Sequence, residues 1–287
     1  MELAFSPEQQ ELVRTVRAFT KKELAPHTAR WDRTDEVPLE TWRRMGELGL
    51  LGLRTPARYG GQEGDLLTVG IAVEEIARGD FCSTHVIQTA NLAGDIIGKN
   101  GSDEVKERWL PPAASGEALI ALALTEPTVG SDAANLACRA VLEGDEYVIT
   151  GEKSGITLGM SAQAAILFAR TGGAPRSRGV TAFLVPLDLP GVARSRLRDM
   201  GSHALQRAVL SFDHVRIPAS HRLGAEGSGF YTVMRGFDYN RVIIALACLG
   251  AAGISLEETM AYVKERKAFG RALAQFEGVS FPIAEAA

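Results

Sequence analysis

The sequence predicts an α+β protein in three stretches, helical, then β, then helical again. Up to about Leu119, apolar residues recur at three- and four-residue spacing, the period of a helix with one buried face. From Ile120 to about Arg222, short runs rich in β-branched and aromatic residues stand between turn residues. After "GAEGSGF" the helical period returns. The boundaries give an N-terminal helical domain over 1–119, a middle β domain over 120–222, and a C-terminal helical stretch over 223–287.

The first helix is predicted in "SPEQQELVRTVRAFTKKEL", with Ser6 as N-cap, Pro7 at the first helical position, and Leu12, Val13, Val16 and Phe19 on one face. "PLETWRRMGELGLLG" and "LLTVGIAVEEIARGD" each carry an apolar stripe and then a glycine stop, and "SDEVKERWLPPAASGEA" is predicted to close a helix at its paired prolines. Strands are predicted in "EYVITGEK", "AAILFART", "GVTAFLVPL" and "AVLSFDHVRIP". "EGDE" supplies a hairpin turn, and "RTGGAPRSRG" an exposed hairpin loop. "FYTVMRGFDYNRVIIALACLGAAGISLEETMAYVKERKAF" is then one long helical segment, with glycines at small-residue positions that allow close helix packing.

Composition sets the class. With 287 residues, 46% hydrophobic and 23% charged, the chain has the balance of a soluble globular protein with a substantial core. Its net charge of −4 is spread without a basic face, so no nucleic-acid partner is expected. Cys82, Cys138 and Cys248 are odd in number and far apart, without zinc-ligand spacing, so no metal is expected and a reducing, cytoplasmic setting is. The charged opening "MELAFSPEQQELVRTVRAF" differs from a signal peptide, and no apolar run approaches bilayer-spanning length, so neither export nor membrane insertion is expected.

Taken alone, "TEPTVGSD" (125–132) is turn chemistry closing the apolar run "LIALAL". Its company changes the reading. "YVITGEKSGIT" follows some thirty residues on, "YVKERKAFGRAL" follows in the helical region, and "SPEQQELVRTVRAF" and "FDHVRIP" flank them. In this order the stretches resemble the acyl-CoA dehydrogenase family of flavoproteins, over essentially the whole chain. The resemblance implies that family's fold: an N-terminal helical domain, a middle β-barrel or sandwich, and a C-terminal helical bundle, truncated here. It also implies FAD. Leu122 to Ser131 would line it, with Leu122, the main chain at Leu124 and Thr125 towards the pyrimidine edge, the Thr125 hydroxyl near N5, Gly130 allowing close approach, and Ser131 towards a phosphate or the CoA arm. Glu126 and Asp132 are expected to orient backbone donors. Ile156 and Thr157 would reach the flavin, while Arg266 and Phe269 would meet the FAD of a neighbouring subunit.

For the substrate, the resemblance points to "FDYNRV", where Asp238 and Arg241 would contact CoA; an intrahelical ion pair is the plainer alternative, and both roles are compatible. Asn240 stands where one branch of the family carries its catalytic glutamate, and an amide cannot remove a proton. The general base is therefore unassigned and expected beyond Ala287. Gly155 replaces the tryptophan most relatives carry beside the flavin, Glu277 replaces a glutamine, and His203, Leu205 and Gln206 replace the family's arginine and small hydroxyl residues, His203 being more simply a loop histidine. These departures point to cyclic or branched acyl groups, as in a cyclohexanecarboxyl-CoA dehydrogenase. The implied activity is FAD-dependent α,β-dehydrogenation of an acyl-CoA in a homodimer or homotetramer that passes electrons to an electron-transfer flavoprotein. The alternatives are a flavin oxidase or monooxygenase on the same scaffold, or a truncated, non-catalytic acyl-CoA-binding form.

Overall fold

The structure, a computed structural model, describes residues 4–287; the first three residues of the predicted N-terminal domain lie outside the described residues. Helix α1 (Pro7–Phe19) begins where its sequence signals place it. Ser6 accepts from the Gln9 amide and the Gln9 side chain accepts in return from the Ser6 amide, a reciprocal capping box. α2 (Thr28–Thr34), α3 (Leu39–Glu47) and α4 (Leu66–Ala77) follow, then the twenty-residue α5 (Phe81–Asn100), capped by Asp80 on the Ser83 amide.

The predicted stop at the paired prolines is corrected by α6 (Asp103–Ser115), which runs through Pro111 and Pro112 and ends on Gly116 at φ 78°. Each proline removes one amide donor, but Leu110, Ala113 and Ala114 are buried against the helical core. That burial keeps the last turn helical.

The β region forms one sheet from β1 (Ile120–Ala123), β2 (Arg139–Glu143), β3 (Glu146–Ile156), β4 (Ala164–Arg170), β5 (Val180–Pro186), β6 (Val192–Arg196), β7 (Ala208–Pro218) and β8 (Arg222–Leu223). Their order is β6-β7-β3-β2-β4-β5-β8, with β1 parallel to β4. β4 and β5 are apolar along almost their whole length because both faces are buried. The β2–β3 turn falls at Gly144, φ 66°, and "RTGGAPRSRG" joins antiparallel β4 and β5, both where the sequence places them. β6, "VARSR", carries no apolar alternation and was not predicted. β3 slips register against β7 twice, the second time between Lys153 and Ile156, so Ser154 and Gly155 leave the ladder.

α7 (Gly229–Glu265) lies across α4 and α5 through small residues; a Cβ on Gly250 would stand 2.1 Å from the Glu74 carbonyl oxygen. The helix ends four residues short of the predicted Phe269. Arg266 is extended, and the chain reverses in the hairpin β9 (Lys267–Ala268) and β10 (Arg271–Ala272), with Phe269 and Gly270 both at positive φ, before α8 (Glu277–Ala286). α7 also corrects the expectation about apolar length. It holds an 18-residue window of mean hydropathy 1.6, long and apolar enough to cross a membrane by length and composition, and 17% of that window is buried. Val242, Ile243, Ile244, Leu246 and Leu249 carry the hydropathy, while Ala247 and Gly250 add no bulk, so the helix is apolar and yet approaches its neighbours closely.

Candidate active site

The end of β1, the bulged end of β3, α5 and α7 enclose a cavity of about 400 Å³. Among the sequence-predicted residues it gathers Leu122, Leu124, Thr125, Gly130, Ser131, Ile156, Thr157, Asn240 and Arg241 on one wall or another. Residues 122–131, 156–157 and 240–241 thus meet in space although they are far apart in the chain.

The loop after β1 is held from beneath by a buried ion pair. Lys153, fully buried in β3, donates to the Leu124 carbonyl at 3.0 Å and to Glu126 at 2.8 Å. Glu126 also accepts from the amides of Ala137 and Cys138 at 2.6 and 2.9 Å, which is the donor-orienting role its sequence position implied. Burial alone would raise the Glu126 carboxyl; the hydrogen bonds from Lys153, Ala137 and Cys138 and the lysine's charge outweigh it and hold the group below the usual carboxylate range. Burial pulls Lys153 the other way, below the usual lysine range. The Ser154 amide donates to the Thr125 carbonyl at 2.8 Å, joining the loop to the β3 bulge. Asp132 accepts from the Asn135 side chain, a local loop contact.

Gly155 sits at φ +69°, and a Cβ there, as on Gly130, would meet nothing within 4 Å. The wall beside β3 is therefore open where a large side chain is absent. Sequence reasoning missed the opposite wall. α5 contributes His85, Gln88, Thr89 and Leu92, and α7 contributes Phe230, Met234, Phe237 and Ile244. Spacing of 85, 88, 89 and 92 on one helix face was the available signal. Burial lowers the His85 pKa and leaves the ring neutral near pH 7. Gln88 is buried, and its amide nitrogen is enclosed without a hydrogen-bond partner.

Among the described residues, no carboxylate lines the cavity and no cluster has metal-ligating composition. Its one charged wall residue is Arg241, which donates to Asp238 at 3.0 Å while both side chains stay largely exposed. The intrahelical pair is therefore formed, and Asp238 lies outside the cavity wall. Arg266 and Phe269 lie outside it too, at the far end of α7, with Phe269 almost fully exposed. His203 lies 3.6 Å from both Asp32 and Asp35, and Gln206 donates to the Asp35 carbonyl, so the two link the end of α2 to the sheet.

The cavity lies between a β-turn loop and two long helices, with mostly apolar side chains from α7 and mostly polar ones from α5, the form of a small-molecule site. The chain matches the family descriptions "Acyl-CoA dehydrogenase, N-terminal domain" over residues 6–117, "middle domain" over 121–215 and "C-terminal domain" over 227–287. It is 38% identical to the probable acyl-CoA dehydrogenase YngJ of Bacillus subtilis, over 100% of this chain and 76% of that protein. It superposes on butyryl-CoA dehydrogenase from Megasphaera elsdenii with a TM-score of 0.94 at 32% identity, covering 100% of this chain and 76% of that one. A structure titled as the electron transferring flavoprotein of Acidaminococcus fermentans gives a TM-score of 0.94 at 32% identity, covering 99% and 76%. The chain belongs to the acyl-CoA dehydrogenase family, a family of oxidoreductases.

Proposed function

We propose that this chain takes part in FAD-dependent α,β-dehydrogenation of an acyl-CoA thioester at the cavity between β1, β3, α5 and α7. The observation that carries this reading is the convergence of Thr125, Gly130, Ser131, Ile156 and Thr157 on a cavity whose other wall is an acyl-sized apolar surface of α7. The residues present suit a flavin: Gly130 and Gly155 leave open approach on the loop side, and the Thr125 and Ser131 hydroxyls supply neutral hydrogen-bonding groups beside them. When bound, FAD supplies the acceptor for the β hydrogen leaving as hydride.

The chain's own residues do the rest. Leu122, Leu124, Thr125, Ile156 and Thr157 hold the ring side, and Lys153 and Glu126 keep that loop rigid so its donors stay aimed. Leu92, Phe230, Met234 and Phe237 exclude water from the acyl chain, and Ser131, Asn240 and Arg241, with Asp238 behind Arg241, take the polar arm of CoA. Among the described residues the wall holds no carboxylate to accept the α proton. Arg266 and Phe269, remote from this cavity, serve a second copy's FAD in a homo-oligomer, and an electron-transfer flavoprotein takes the electrons in a reducing, cytoplasmic setting. The open space at Gly155 favours a branched or cyclic acyl group.

The test is to load the purified chain with FAD and mix it anaerobically with straight, branched and cyclic acyl-CoA thioesters. Spectral perturbation of the flavin on mixing supports the reading; a flavin that loads but answers to no acyl-CoA overturns it.

A further inference from the structure

Resting on the acyl-CoA reading above, we infer that the acyl group carries an uncharged oxygen substituent, a hydroxyl or keto oxygen, that the amide of Gln88 recognises. Gln88 is 6% exposed and lines the cavity, yet its amide nitrogen is enclosed with no partner. An enclosed, unpaired amide is costly in the free protein, and such groups persist where a ligand completes them. A plain alkyl chain brings nothing for it to bond.

The neighbours on α5 define the same end of the cavity. His85 lies one turn before Gln88 and Thr89 beside it, so three polar side chains face the space that Leu92, one turn further on, continues as apolar wall. His85 makes only long contacts of 3.4 Å through Nδ1, to the Phe81 carbonyl and to Thr84. The nitrogen is shut off from solvent in the free protein, so the side chain must turn towards the cavity to meet a ligand; a hydroxyl both donates and accepts, so it satisfies whichever amide atom is then presented. A charged substituent is disfavoured by the same wall. Arg241, the one charged residue, is already paired with Asp238 and largely exposed, and burial keeps His85 neutral. A carboxylate beside Gln88 would be desolvated without a counter-charge.

The experiment uses the whole chain with its flavin pre-reduced, so that binding is read by calorimetry without turnover. The ligands are hexanoyl-CoA and its hydroxyhexanoyl-CoA positional isomers, and the proteins are wild type, Gln88→Leu and Gln88→Met. At least one hydroxylated isomer should bind the wild type about tenfold tighter than hexanoyl-CoA, and both variants should lose or reverse that preference. Both variants should also melt no lower than the wild type, because each removes a buried amide that has no partner. Equal affinities for all ligands in all three proteins overturn the inference and leave the acyl-CoA reading standing. Variants that melt lower with an unchanged preference show that Gln88 is held by water and is structural. If no thioester binds, the acyl-CoA reading falls and takes the inference with it.

Discussion

The middle sheet and the α7–α8 arm are both apolar, and they use that character in opposite ways. In β4 and β5, Ile166, Phe168, Phe183 and Leu184 are fully buried, and even the lysine of β3 is sealed in with a carboxylate. In the arm, Val242, Leu249 and Phe281 are each 60% exposed, and α8 has no buried residue at all. Hydrophobicity therefore says that a surface is suited to burial and does not say that this chain buries it. The cavity lies where the two regimes meet, one wall rigid and closed, the other a helix packed on one side only.

The strongest way to break this comparison is to open the buried pair. Lys153→Met removes the one cation facing Glu126 and leaves that carboxylate with two backbone amides in a closed site. Breaking a buried pair from one side costs about 3–5 kcal/mol. Urea unfolding should show a loss of that size, together with weaker flavin retention because the Leu124 carbonyl loses its donor. A loss below about 1 kcal/mol would mean that Glu126 takes up a proton at little cost, and the rigid-wall account would fail.

Next comes Phe183→Ala. The ring is fully buried and meets Tyr147 edge-on at 4.7 Å between centroids. Truncating such a side chain costs about 3–5 kcal/mol, at the lower end where neighbours close the cavity. The same denaturation measurement checks it, and a mild effect would show that the sheet core repacks.

Legibility followed locality. The loop 125–132 could be recognised because its chemistry lies within eight consecutive residues, and the Asp238–Arg241 pair because a spacing of three fixes it on a helix. The α5 wall was not legible in the same way. α5 is buried around most of its circumference, and its polar residues Ser83, Thr84, Gln88 and Asn91 are buried on more than one side, so the polar spacing at 85, 88 and 89 does not stand out, and its meeting with residues 122–157 is a product of the tertiary fold. Lys153, in a strand, gives the pattern of a solvent-facing charge; only contact with Glu126, 27 residues away, shows that it is interior. β6 was missed because its burial is partial and its residues polar, and the end of α7 because the turn at Phe269 uses a non-glycine positive φ.

A pH titration sharpens the comparison with smaller effects. Burial lowers the pKa of His221, which contacts the Leu184 carbonyl at 3.0 Å through Nδ1, and of His85. As pH falls below about 6.5 the unfolded chain takes up protons that the folded one refuses, so stability should decline there and level off once the folded histidines also protonate. A second decline should begin below about 4.3, where unfolded glutamates protonate and Glu126 still holds its charge. Exposed Glu257, which accepts from Arg78 at 2.6 Å, should add only a salt-sensitive part. Melting temperatures across this range, in low and high salt, measure all three; stability that is flat from pH 7 to pH 5 would count against neutral burial of the two histidines.

The smallest effect belongs to the arm and is the mirror of Phe183. Phe281→Ala removes a ring of the same size, but one that is 60% exposed in a helix without buried residues. Only the area already withdrawn from water contributes to folding, and surface substitutions of this kind stay within about 0.5 kcal/mol. The substitution also favours the helix slightly, since alanine outranks phenylalanine as a helix former. In dilute protein, denaturation midpoints for wild type and Phe281→Ala should therefore coincide. Repeating the measurement at rising protein concentration gives the comparison its edge: if the arm is covered by a second copy, the wild type gains stability with concentration and Phe281→Ala gains less. A loss above about 1.5 kcal/mol in dilute protein would show that the arm is part of the folded core, and the contrast between the two regions would be gone.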